Sequence, residues 1–206
     1  RQGIPVLPHG KALGLFMVGR KVISVAGSHG KTTTSAMLAH ILTRGGYDPS
    51  FAVGCGEILS LGTPAHAGKG DYFVAEADEY VTDPLHDLTP RFMWQKPSLL
   101  TITNIDFDHP DVYKNLDMVK QAFLDFTGNV DLDGVVVINI DDPVCRSILP
   151  QIQRRVVTYG SGEDSQFRIL NFEFKDQKSS FSIAGLGQFT LKVPGVHNIY
   201  NAAAAA

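Results

Sequence analysis

Residues 25–34 read Val-Ala-Gly-Ser-His-Gly-Lys-Thr-Thr-Thr, a set of groups suited to gripping a phosphate. Gly27 and Gly30 let the backbone approach an anion that a side chain would block. Their amides, with the positive end of a following helix, aim N–H groups at that anion. Lys31 then reaches the β/γ-phosphates of a nucleotide, and Thr32 offers a hydroxyl to Mg²⁺. The general form of this loop carries a further glycine at position 25, which here is Val25, so the loop is a shortened variant.

Further clusters fall where loops should leave the carboxyl ends of strands, the usual ligand position in open α/β sheets. Glu76-Ala77-Asp78-Glu79 follows an apolar run, and a carboxylate there is a hard oxygen ligand for Mg²⁺ or, alternatively, part of a solvated acidic turn. Thr103-Asn104-Ile105-Asp106-Phe107-Asp108-His109 can hold a second metal or orient a phosphate; its aspartates can also serve only as local caps. In Gly195-Val196-His197-Asn198-Ile199-Tyr200-Asn201, helical spacing puts Asn198 and Asn201 on one face, where both amides can read a base or ribose edge. Asn198 is equally suited to capping the helix.

Positioning these groups requires an α/β sheet. Apolar, β-branched runs predict strands at 21–26, 50–54, 71–75, 98–103, 134–139 and 155–158. Helices are expected at 31–45, 83–89, 115–128 and 142–149, the last capped by Asp142 with Pro143 in its first turn. From Phe167 the period becomes two, with Phe172/Phe174, Phe181/Ile183 and Phe189/Leu191/Val193 across turns at 175–179 and 185–187. Pro194-Gly195 then leads into a final helix. The reading is a mostly parallel sheet flanked by helices, with a small antiparallel sheet near the C-terminal end.

Composition narrows the class. The chain has 206 residues, 44% hydrophobic and 19% charged, which suits one globular domain with a full core. A net charge of −3 gives no electrostatic reason to expect nucleic acid. Cys55 and Cys145 lack metal-ligand spacing and suggest reduced thiols in a cytoplasmic protein. No apolar run approaches the roughly 18 residues that span a bilayer, so no membrane insertion is expected. Arg1 in place of a start methionine, and the uncapped run Ala202–Ala206, point to a piece of a longer chain.

Together and in this order, Gly-Ser-His-Gly-Lys-Thr-Thr-Thr, Glu-Ala-Asp-Glu, Thr-Asn-Ile-x-x-Asp-His and Pro-Gly-x-His-Asn-x-x-Asn-Ala-Ala resemble the Mur ligases over essentially the whole chain. These are ATP-dependent amino-acid ligases of peptidoglycan precursor synthesis. The resemblance implies ATP and Mg²⁺, with the phosphate loop at Gly27, Ser28, His29, Gly30, Lys31, Thr32 and Thr33. It implies a metal at Thr32 and Glu76, a second at His109, and nucleotide contacts from His197, Asn198 and Asn201. It makes Lys31, Glu76 and His109 the catalytic set. Residues 1–20 would be the tail of a preceding sugar-nucleotide domain, and 21–206 the central ATP-binding domain without the C-terminal one.

Gly3-Ile4-Pro5-Val6 and the triple threonine look most like the member joining L-alanine to UDP-N-acetylmuramate through an acyl phosphate. Asp106-Phe107-Asp108-His109 and Glu79-Tyr80 also suit the relative that attaches the recycled peptide L-Ala-γ-D-Glu-diaminopimelate to the same sugar nucleotide. A P-loop ATPase without ligase activity is the alternative of another class. Departures from the family pattern are Ser28 for threonine and the unusual segment 80–86, in which Asp83 is displaced. Neither Lys114 nor Lys120 matches the carbamylated lysine of several relatives.

Overall fold

The run Val22-Ile23-Ser24-Val25-Ala26 is buried throughout and forms the middle of a sheet, as its β-branched content requires. The structure, a computed structural model, describes residues 6–206. Helix α1 (His9–Phe16) precedes β1 (Lys21–Ala26) and α2 (Lys31–Arg44); short strands β2 (Ser50–Ala52) and β3 (Ala65–His66) lead to β4 (Tyr72–Ala77). A hairpin, β5 (Val81–Asp83) and β6 (Asp87–Pro90), and a 3₁₀ turn at Arg91–Trp94 come before β7 (Leu99–Ile102). Then follow α3 (Leu116–Gly128), β8 (Val135–Asn139), α4 (Pro143–Ile148), β9 (Arg155–Gly160), β10 (Phe167–Lys175), β11 (Lys178–Ile183), β12 (Gly187–Leu191) and α5 (Val196–Ala205).

The strand order is β12-β11-β10-β9-β8-β7-β1-β4-β2-β3. Strand β1 pairs in parallel with β4 on one side and β7 on the other. The chain therefore builds outward from β1 in both directions, which opens the crevice at its carboxyl end. The antiparallel strands form the small sheet expected near the C-terminal end, and it continues the parallel sheet as a wing. They join through a short parallel ladder, Phe167 beside Tyr159 and Arg168 beside Gly160.

One core cluster stacks Phe92, Phe123 and Phe126 against Leu100, Ile102 and Ile138, with the Phe92 and Phe126 rings 4.4 Å apart. A second packs α2 through Leu38 and Ala39 onto Ile23, Val25 and Val74. Asp142 Oδ1 accepts from the Cys145 amide at 2.7 Å with Pro143 in the first turn of α4, as expected. Asn115 caps α3 in the same way.

The helix expected at 83–89 is instead the β5–β6 hairpin. Asp83 turns the chain by accepting from the Leu85 amide at 2.9 Å, and Thr82 Oγ1 donates to the Thr89 carbonyl at 2.7 Å. Leu85 and Leu88 are exposed, so a helix here would have had no apolar face to bury. Glu76 lies within β4, not after it. Residues 9–16 are helical and pack against the 3₁₀ turn, whereas Gly3-Ile4-Pro5 lies outside the described residues. No helix among the described residues is long and apolar enough to cross a membrane.

Candidate active site at the phosphate loop

The loop after β1 is held open by its neighbours. Gly27 has φ 137° and Gly30 φ 86°, both disfavoured for residues with a side chain. A Cβ on Gly27 would collide with Thr103 Oγ1, and one on Gly30 with Asn201 Oδ1. The chain after β7 fixes the loop: the His29 amide donates to Asn104 Oδ1 at 2.8 Å, and Asn104 Nδ2 donates back to the His29 carbonyl at 2.8 Å. Thr103 Oγ1 donates to the same carbonyl at 2.6 Å, and Ser28 Oγ accepts from the Asp106 amide at 2.8 Å. With the loop frame satisfied, the first-turn amides of α2 have no carbonyl of their own turn and face an incoming anion.

Lys31 Nζ donates to the Gly27 carbonyl at 2.6 Å and to Glu79 Oε2 at 3.0 Å. Glu79 is buried at the tip of the β4 segment, and its backbone carbonyl accepts from the Tyr113 hydroxyl at 2.6 Å. Burial first, and then the negative charge of Glu79, push the Tyr113 hydroxyl far above the usual tyrosine range, so it remains a donor. Glu76 meets Thr32 as expected, with Thr32 Oγ1 3.1 Å from Glu76 Oε2. Its other oxygen accepts from the Gly54 amide at 2.6 Å.

Two oxygens bound side by side on an Mg²⁺ at about 2.1 Å each sit roughly 3.0 Å apart. The Thr32–Glu76 spacing of 3.1 Å is thus close to an edge of that octahedron. His109, at φ 58°, brings Nε2 to 3.9 Å from both Glu79 Oε1 and Asp108 Oδ2. Glu79, Asp108 and His109 thereby form a further group able to hold a cation. The donor chemistry fits divalent magnesium at the first position, and a mixed oxygen–imidazole set at the second.

Cavities flank the loop on either side. One, of about 630 Å³, is lined by Lys31, Glu76, Asp78, Arg91 and His109. Arg91 Nη1 pairs with Asp78 Oδ2 at 2.8 Å in its wall. The other, also about 630 Å³, is lined by His29, Gly30, Thr33, His197, Tyr200 and Asn201. Here Asp141 accepts from Tyr200 at 2.6 Å and from Ser161 Oγ at 2.7 Å. Burial works to raise the Asp141 carboxyl, but the bonds from Tyr200 and Ser161 together hold it below the usual carboxylate range.

The loop residues, Lys31, Thr32, Glu76, His109, His197 and Asn201 therefore converge on this crevice. Asn198 does not line the second cavity. Its Nδ2 donates to the Pro194 carbonyl at 2.8 Å, which ties it to the turn before α5, and the N-cap position itself is Gly195 without a side-chain cap. Lys120 pairs with Asp117 on α3 at 3.4 Å. Sequence reasoning missed Glu79, Asp78, Arg91, Asn104, Asp141 and Tyr200 as site residues. Glu79 and Asp78 stood inside the acidic block already singled out, but only folding distinguishes which carboxylate meets the lysine.

A glycine loop between β1 and α2, at the switch point of a mostly parallel sheet and faced by carboxylates from the neighbouring strand, defines a phosphate-loop α/β domain. Residues 25–206 match the model of the Mur ligase middle domain. The chain belongs to the Mur ligase family. It is 39% identical over 203 residues to the UDP-N-acetylmuramate--L-alanine ligase of Persephonella marina, covering 98% of this chain and 42% of that protein. It is 40% identical over 208 residues to the enzyme of the same name from Caldanaerobacter subterraneus subsp. tengcongensis, covering 98% of this chain and 43% of that protein.

Among solved structures, the UDP-N-acetylmuramate-alanine ligase of Thermotoga maritima superposes with a TM-score of 0.74 at 28% identity, covering 95% of this chain and 42% of that one. The UDP-N-acetylmuramate:L-alanyl-gamma-D-glutamyl-meso-diaminopimelate ligase of Neisseria meningitides gives a TM-score of 0.85 at 26% identity, covering 98% and 65%. The chain spans less than half the length of the curated relatives described here.

Proposed function

We propose that this chain is the ATP-handling core of an enzyme that joins L-alanine to UDP-N-acetylmuramate through an acyl phosphate. The carrying observation is the convergence of Lys31, Glu76 and His109 on one cavity, with Lys31 aimed by the buried Glu79 and with Asn201 and Tyr200 on the cavity across the loop. Residues 21–206 form the central domain in this reading, and 1–20 the exit from a sugar-nucleotide domain. The enzyme is cytoplasmic and needs no nucleic acid.

The loop amides and Lys31 hold the nucleotide phosphates, with His197 and Asn201 beside the nucleoside. Lys31 exchanges its contacts to Glu79 and the Gly27 carbonyl for phosphate oxygens. Thr32 and Glu76 would hold one Mg²⁺ and His109 a second, and the ions would supply positive charge against the transferred group. The acceptor carboxylate enters the cavity beside Lys31 and attacks the γ-phosphorus; ADP leaves and an acyl phosphate results. The amine of L-alanine then displaces phosphate, giving the amide. Positioning and fixed charge dominate such a transfer, because little covalent work falls to the protein.

The structural likeness to the peptide-attaching ligase of Neisseria keeps one competing acceptor in view. ADP release by the full-length protein with UDP-N-acetylmuramate, measured with L-alanine and then with L-Ala-γ-D-Glu-diaminopimelate, separates them. L-alanine should support turnover, and turnover with the tripeptide alone would reverse the choice.

A further inference from the structure

Arg91 occupies the wall of the cavity that holds Lys31, Glu76 and His109, yet neither the phosphate loop nor the cation positions use it. Its guanidinium is oriented by three neighbours. Nε donates to the Val81 carbonyl at 3.1 Å, and Nη1 pairs with Asp78 at 2.8 Å. The guanidinium carbon lies 5.3 Å from the centre of the Tyr80 ring. A Cβ on Gly10 of α1 would lie 3.4 Å from Arg91 Cβ, so the helix sits close against the base of the side chain. Among the described residues Nη2 has no partner.

The charges around this cavity make that unused edge informative. Glu76, Asp78 and Asp108 all line it and repel an anionic acceptor. Lys31 is committed to Glu79 and, in the ligase reading, to the nucleotide. The cations assigned to Glu76 and His109 serve the transferred phosphate in that reading, which leaves Arg91 as the side-chain cation in this lining for an entering carboxylate. A planar guanidinium already locked in orientation meets a carboxylate with little further ordering, which a flexible ammonium cannot match. Arg91 opens the 3₁₀ turn directly after the hairpin, and Tyr80 and Val81, which orient it, belong to the segment 80–86 where this chain departs from the family pattern.

We propose that Arg91 is a specificity-determining residue that receives the carboxylate of the acceptor sugar nucleotide on its Nη2 edge. The assignment rests on the ligase reading above and adds to it the group that reads the substrate. Asp78 is then a positioning residue, holding the guanidinium in the wall.

The test uses the full-length enzyme and two ligands. UDP-N-acetylmuramate carries the carboxylate; UDP-N-acetylglucosamine has the same diphosphate without it. The ratio of their Kd values is read for the unmutated protein, Arg91→Lys and Arg91→Gln, and it does not depend on the fraction of protein correctly folded. Loss of the fork should reduce the preference for UDP-N-acetylmuramate by about tenfold or more, with the KM for ATP unchanged. An unchanged ratio overturns the assignment, whether both ligands bind normally or both weaken equally, the latter placing Arg91 at the diphosphate or in folding alone. If the unmutated enzyme releases no ADP in response to UDP-N-acetylmuramate and L-alanine, the ligase reading fails instead. Normal release there with an unchanged ratio removes only Arg91.

Discussion

Lys31 rests against Glu79, its Nζ 3.0 Å from the Oε2 of a side chain only 2% exposed. The lysine of the phosphate loop is therefore stored in a largely buried ion pair, aimed by a carboxylate from the tip of the adjacent strand. Removing one member of such a pair leaves the other charge uncompensated. Lys31→Ala should retain the fold by circular dichroism but melt at a lower temperature. Turnover should fall by at least a hundred- to a thousandfold, on the order of 3–4 kcal/mol of lost transition-state stabilisation. Adding Glu79→Gln to that variant should recover melting temperature and no activity. Equal melting temperatures for the single and double variants would show the pair to be unimportant for stability.

Gly30 has φ 86° and faces Asn201 Oδ1. Gly30→Ala must strain the backbone and displace Asn201, costing about 1–3 kcal/mol. Nucleotide titration of the full-length protein should show weakened ATP binding. Asn201→Ala should weaken nucleotide binding without the backbone penalty. Unaltered affinity in Gly30→Ala would contradict the close seating of α5 on the loop.

Glu76 is placed by Gly54 and Thr32, so a change there alters the cation site more than the sheet. Glu76→Gln keeps the side chain's volume and loses its charge. ADP release should need a much higher Mg²⁺ concentration in that variant, and chelation should stop the unmutated enzyme until Mg²⁺ is returned. An identical Mg²⁺ dependence for both proteins would remove Glu76 from the site.

Asp141 gives the structure an acid-sensitive joint between α5 and the turn after β9. Burial opposes its charge, and the bonds from Tyr200, Ser161 and the Gly162 amide prevail, so its folded pKa is depressed. A depressed carboxyl stabilises the fold above its unfolded pKa of about 3.9, and that contribution disappears as pH falls through the lower folded value. Tyr200→Phe removes one of the stabilising bonds. Urea melts between neutral pH and pH values below about 4 should show a smaller acid-side loss in Tyr200→Phe than in the unmutated protein. A larger loss in the variant would reverse the sign of this account.

Much of this arrangement could be read from the residues. The β-branched run at 22–26 and the glycines at 27 and 30 place the loop, because burial and positive φ leave few alternatives. Asp142-Pro143 marked α4 through local capping chemistry. Where several partners compete, sequence alone does not choose. Glu76 and Glu79 sit in one acidic block, and only strand register sends the first to Thr32 and the second to Lys31. Asn198 and Asn201 share helical spacing, but the Pro194 carbonyl captures the first and Gly30 shapes the seat of the second. The hairpin at 81–90 was hidden for a different reason. Its turn is made by Asp83 and Thr82 side chains reaching local backbone, while its anchors are distant: Lys11 pairs with Asp87 at 2.9 Å and Lys11 lies over Trp94 at 4.3 Å.

The most direct test of the central claim is ADP release by the full-length enzyme, with each acceptor omitted in turn. The account predicts sustained, multiple-turnover release only when UDP-N-acetylmuramate and L-alanine are both present, and its loss in Lys31→Ala. ADP release that ignores the acceptors, or near-normal ligation by Lys31→Ala, would contradict it.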